Sequence, residues 1–132
     1  MSFLCPECLA PSTLEITWSL SLPPDSRSDE ICLQVVSCAA CDFQGLAVYE
    51  ESRRGPLDAE HWDHLGYKVG LDLVLVVESA LRGCQDPVNP DCTCDAHRNY
   101  GQKDAQGRWI NPAALPEADS FAMIHFNEDE PE

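Results

Sequence analysis

Four cysteines stand in two Cys-x-x-Cys pairs, Cys5-Pro-Glu-Cys8 and Cys38-Ala-Ala-Cys41, and no other feature of the chain narrows its fold as much. A two-residue spacer lets a tight turn aim both sulfurs the same way, so each pair presents two thiolates to one point. Two such pairs complete a tetrahedral sulfur shell, the arrangement zinc prefers, with metal–sulfur distances of about 2.3 Å. Iron in a rubredoxin-like centre uses the same geometry. A Cys-x-x-Cys thiol can also be redox-active, but the βαβ context of a thioredoxin-like site is absent.

The sequence around the pairs alternates in the manner of strands. Within residues 13–22, Leu14, Ile16, Trp18, Leu20 and Leu22 occupy one parity, and Thr, Ser and Glu15 the other. This predicts a strand with a single apolar face, ended by Pro23-Pro24 because proline cannot donate to a ladder. Ile31 to Ser37 predicts a second strand. Gly45 breaks the chain after Cys41, and Leu46 to Glu50 predicts a third. This arrangement resembles the zinc-ribbon family, of the small bacterial type, over residues 5–50, including the Cys38-Ala-Ala-Cys41-Asp-Phe43-Gln-Gly45 knuckle. The resemblance implies a structural ion held by Cys5, Cys8, Cys38 and Cys41, an aromatic at Phe43 beneath it, and a glycine at Gly45 releasing the strand. It implies no particular activity, since zinc ribbons serve unrelated functions.

Pro56-Leu57-Asp58 reads as a helix start with Asp58 as N-cap, the segment running to about Leu65 and stopping at Gly66. From Gly70 to Cys84, Leu73, Val74, Val77, Ala80, Leu81 and Cys84 share one helical face. The Leu71–Val77 run is apolar and β-branched enough to serve as a buried strand instead. Beyond Gly83, prolines and glycines arrive too often for regular structure, with Phe121–Phe126 a candidate late strand and 127–132 an acidic tail. The expected fold is α+β: a small antiparallel zinc-ribbon sheet packed with one or two helices and an irregular C-terminal segment. One domain is expected over 1–126, made of a ribbon (1–52), a helical part (57–84) and a Cys/His segment (84–112).

That last segment contains Cys84, Cys92, Cys94 and His97. Three thiolates and an imidazole make a legitimate zinc shell, and a Pro/Gly-rich stretch has little else to order it. In the bland alternative, Cys84 belongs to the core and Cys92 and Cys94 are idle loop thiols. The count favours metal: the first group takes four of the eight cysteines, the second takes three with His97, and only Cys32 remains, as a small apolar filler on a strand. A missing ligand would open a coordination position and allow metal-assisted hydrolysis. His61 and His64, three apart on the expected short helix, are compatible with metal or acid–base work, but a solvated helix face is the favoured reading, since that spacing is common by chance and no third partner is evident.

Eight Lys and Arg face 23 Asp and Glu, a formal charge of -15. Such a field repels phosphate backbones and anionic membranes. The leading expectation is therefore a cytoplasmic, non-enzymatic, zinc-binding protein-interaction or adaptor module. The alternatives are a nucleic-acid-binding ribbon using Arg53, Arg54, Arg98, Lys103 and Arg108 with Tyr100, Trp109 and Phe121 as stacking partners, and a metal- or thiol-dependent enzyme built on Cys84–His97.

Overall fold

In the computed structural model, which describes residues 2–53 and 61–124, the strands are β1 (Ser2–Phe3), β2 (Leu14–Leu22), β3 (Glu30–Cys38), β4 (Gln44–Ser52), β5 (His61–Lys68) and β6 (Asp119–Ala122). All pair antiparallel with their sequence neighbours in one sheet, in the order β1-β2-β3-β4-β5-β6. Helices α1 (Leu71–Arg82) and α2 (Asp95–Tyr100) complete the described elements. The α+β class holds, but among the described residues the sheet has six strands, where three and a candidate late strand over 121–126 were expected. The sheet also curls: the Leu4 N–H donates to the Ile124 carbonyl at 2.7 Å, which brings the chain next to β1 against the chain just past β6.

The single-face expectation for β2 is corrected. Ile16 lies opposite Val36 while Trp18 lies opposite Val35, so Thr17 is an extra residue in the ladder, a β-bulge. Inserting one residue moves every side chain beyond it to the other face. Leu14 and Ile16 therefore join Phe3, Val36, Ala47 and Met123 in one core. Trp18, Leu20 and Leu22 join Leu33, Val35, Leu46 and Val48 in the other. The Thr17 hydroxyl donates to the Val35 carbonyl at 3.2 Å and ties the bulge to β3. One strand thus serves both faces of the sheet, although its sequence alternates without a break.

The second core lies under α1, whose Val74, Val77 and Leu81 are buried. Spacings of three and four residues put these on one stripe, so the helical period prevails over the β-branched composition that allowed a strand. No side chain caps the N-terminus of α1, and the Gly70 carbonyl accepts from the Leu73 and Val74 N–H groups. Asp72 in the first turn and Arg82 in the last complement the helix dipole. Gly83 ends the helix.

The expected helix over 58–65 is also corrected; Asp58 itself lies outside the described residues. His61–Lys68 is a strand paired along β4 from Ser52 opposite His61 to Leu46 opposite Tyr67. A helix this short is marginal alone, whereas pairing satisfies the backbone groups along the β4 edge. Gly66 does not stop a helix. It sits opposite Phe121, and a Cβ there would lie 2.2 Å from that ring. Replacing Gly66 by alanine is expected to displace the Phe121 ring and cost about 1–3 kcal/mol, seen as a lower Tm. Combined with Phe121→Ala, the same substitution should cost markedly less than the sum of the two; additive losses would contradict the clash.

The late strand falls at Asp119–Ala122 instead of beginning at Phe121, with residues 125 and 126 and the acidic tail outside the described residues. The 84–112 segment, expected to be irregular, contains α2.

Two candidate metal centres

β1 leads directly into Cys5, and β3 ends on Cys38. Both sulfurs sit in the buried layer of the Phe3 core. Around each pair the local turn is built alike: the Glu7 N–H donates to Cys5 Sγ at 3.4 Å, and the Ala40 N–H donates to Cys38 Sγ at 3.3 Å. These bonds hold each leading sulfur in place while the second cysteine closes over the top. Leu9, at φ 61, carries the backbone out of the first turn in the left-handed region. The second knuckle is fastened to the chain entering β2 by the Ala39 N–H to the Thr13 carbonyl, 2.8 Å, and is closed on itself by the Cys38 N–H to the Phe43 carbonyl, 2.9 Å. Phe43 packs edge-on to Phe121, with ring centroids 5.9 Å apart, in the same core.

Cys5 Sγ lies 3.7 Å from Cys41 Sγ, and Cys8 Sγ lies 3.8 Å from Cys38 Sγ. A tetrahedron with metal–sulfur arms of about 2.3 Å has edges of about 3.8 Å, so these separations suit one shared ion. All four sulfurs lie within 4.8 Å of one another.

The second group is assembled from three elements. Cys84 follows α1, Cys92 stands in the loop after it, Cys94 caps α2 and His97 lies within α2. Cys84 Sγ is 3.8 Å from Cys92 Sγ and 3.4 Å from His97 Nδ1, which lies 3.1 Å from Cys94 Sγ. These ligand atoms also lie within 4.8 Å of one another. Across the ring, His97 Nε2 sits 2.9 Å from the Ser21 carbonyl on β2. A carbonyl can only accept, so Nε2 carries the proton and the Nδ1 lone pair is left for the cluster. The ring's orientation is thereby fixed by the sheet, and Cys84 and His97 are buried.

The charge balance of each group fits a cation. Burial works against the Cys38 thiolate, but the Thr13 hydroxyl and the Ala40 N–H outweigh it and bring its pKa down to about 6. Burial is likewise outweighed at Cys94, by the His97 N–H and imidazole, again to about 6. At Cys84, burial and the neighbouring sulfurs of Cys94 and Cys92 push the thiol up to about 11. One thiolate therefore forms readily in each group and suppresses its neighbours, and a bound cation removes that conflict.

No protein family matches this chain, and no curated protein or solved structure is significantly similar to it. The zinc-ribbon resemblance is thus carried by cysteine spacing alone. Two groups able to hold metal ions are what the structure establishes.

The remaining candidate residues are accounted for by their surroundings. His61 and His64 lie on a strand, so three-residue spacing sends them to opposite faces. His64 Nε2 meets Gln34 Oε1 at 2.7 Å, with edge contacts to Phe3 and Tyr49, while His61 is exposed. Cys32 stands half-buried on β3, its sulfur 3.8 Å from the Ser21 hydroxyl. Among the basic residues, Arg53 pairs with Glu30 and Glu51, and Arg98 with Asp95. Arg108 pairs with Asp25 and Glu50. Lys103 bridges to Trp109 through the backbone, and Arg54 is outside the described residues. Trp109 is buried with Tyr100 packed beside it, and Phe121 covers Gly66, so none of the three aromatics is a free stacking platform.

Asp25 was not singled out by the sequence. Its side chain is buried, with Oδ1 accepting from the Arg27 and Ser28 N–H groups at 2.9 and 2.6 Å. Oδ2 accepts from the Trp109 N–H at 2.7 Å and from the Arg108 guanidinium. The Pro23-Pro24-Asp25-Ser26 turn carries the local half of this signal, since aspartate caps such turns. The half supplied by Arg108 and Trp109 is invisible without the fold.

Proposed function

We propose that the chain is a single domain over residues 1–126 that binds zinc at both groups and serves as a non-enzymatic protein-interaction or adaptor module. The observation that carries this reading is the closure of both ligand sets. Each supplies four donors at tetrahedral separations, and a four-coordinate shell of protein ligands keeps no position for a reacting water. Sulfur-rich donor sets of this kind favour zinc over harder divalent ions. The first ion would pin the two knuckles to the sheet. The second would pin α1 and α2 to β2 through His97. The charge of -15 supports a protein partner over nucleic acid, because phosphate backbones are repelled. Among the described residues no helix is long and apolar enough to cross a membrane.

Metal analysis by native mass spectrometry tests this reading. Two zinc ions per chain are expected, one for each group, and one after Cys92→Ser with Cys94→Ser. Stoichiometric iron, or a compact chain with no metal, would refute it. Affinity capture from the native source supplies the second arm, and a protein retained by the zinc-loaded form but not by the chelated form is the expected result.

A further inference from the structure

We infer that the outer side of α1, with the groove between α1 and α2, is a docking surface for a basic amphipathic helix of a partner protein. The inference rests on the interaction-module reading above. α1 buries Val74, Val77 and Leu81, yet Leu71, Leu75 and Val76 on its other side are 56%, 48% and 59% exposed. Spacings of four and five residues put these three on one arc, and Ser79 continues it toward the C-terminus. There the arc opens into a groove of about 460 Å³, walled by Ser79, Ala80 and Gly83 from one side and by Cys94, Asp95, Ala96, Arg98 and Asn99 from the other, with Arg98 held in an ion pair with Asp95. Small side chains on the α1 wall let a second backbone approach closely. Cys94, a residue of the second candidate metal group, lines the groove.

Charge selects the occupant. Asp72 lies on the exposed arc and Asp86 just beyond the helix, both exposed and in no ion pair among the described residues. The nearby bases are already engaged, Arg82 with Glu78 and over the Trp18 ring, and Arg98 with Asp95. A second copy of this chain would bring two charges of -15 together, and an anionic membrane is repelled for the same reason. A helix with an apolar stripe rimmed by Lys or Arg satisfies both the apolar arc and the surrounding field.

The test titrates a synthetic leucine–lysine amphipathic peptide into the metal-loaded protein by fluorescence anisotropy. Binding is expected to weaken about tenfold or more in the Leu75→Ser/Val76→Ser variant, to weaken with added salt, and to vanish for the peptide carrying glutamate in place of lysine. Both residues are exposed, so an unchanged Tm should accompany the loss. Equal binding to wild type and variant, no binding of the leucine–lysine peptide, or dimerisation of the protein through these residues would overturn the surface. A partner captured equally by wild type and variant would also overturn it while leaving the module reading intact.

Discussion

Cys38→Ser is expected to remove one metal ion per chain and, with it, most of the cooperative stability of the fold. A structural four-sulfur zinc site contributes roughly 10–16 kcal/mol of apparent binding free energy at neutral pH, against a typical total stability of about 5–15 kcal/mol for a domain. The two terms are of one size, so losing the first can leave little of the second. Cys38 is the position of greatest effect because its sulfur is buried in the Phe3 core, its N–H closes the second knuckle, and its neighbour's N–H fastens that knuckle to the chain entering β2. The serine hydroxyl would also leave a buried polar group where a metal bond had been. Thermal melting followed by circular dichroism checks this, with chelated wild type as the reference. A variant that melts as sharply and as high as the metal-loaded wild type would refute the proposed role of this centre.

The second large effect is expected at Asp25. Replacing it with alanine strips one of the two carboxylate partners from the Arg108 guanidinium, leaving Glu50, and leaves the Trp109, Ser28 and Arg27 N–H groups without their acceptor. Breaking a buried ion pair by deleting one member costs about 3–5 kcal/mol, measurable by denaturant unfolding. The same carboxylate carries a pH signature. Burial would raise its pKa, but the Trp109, Ser28 and Arg27 N–H groups and Arg108 outweigh burial and lower it from 3.8 to about 2. A group lowered on folding stabilises the folded state above its unfolded pKa, and that contribution is lost as pH falls from about 4 towards 2. The lost contribution amounts to about 2 kcal/mol. Read as the difference between wild type and Asp25→Asn, it separates from proton competition at the cysteines, which both proteins share. A difference that stays constant over that range would contradict the assigned network.

The residues of both candidate metal groups were legible because ligand spacing is a local property: two residues between thiols, or Cys94 and His97 within one turn, are visible in the letters. The strands β2, β3 and β4 and the buried stripe of α1 were legible because β-rich alternating runs and period 3.6 are visible along the chain. What escaped depends on partners distant in the chain. The bulge at Thr17 leaves the alternation unbroken and reverses its meaning, since register against β3 decides which parity faces which core. β5 contains polar and aromatic residues with no period strong enough to defeat a helix assignment, and the unpaired edge of β4 settles its state. The short α2 is held by its own capping cysteine, a candidate ligand, the sulfur of Cys94 accepting the His97 N–H at 3.4 Å. The buried side of Asp25 is completed by residues more than eighty positions away.

The bond from Leu4 to Ile124 has a consequence for how this molecule can associate. The contact closes the sheet where its two short terminal strands meet, and the carbonyl of Pro87 occupies the Ser21 N–H on the margin of β2 that the two-residue β1 does not reach. Strand addition, by which sheets recruit peptides or stack into fibrils, is therefore blocked at that seam and interrupted at Ser21. Contacts with other molecules at the seam are left to side chains, and their specificity can be rewritten one residue at a time without disturbing the backbone beneath.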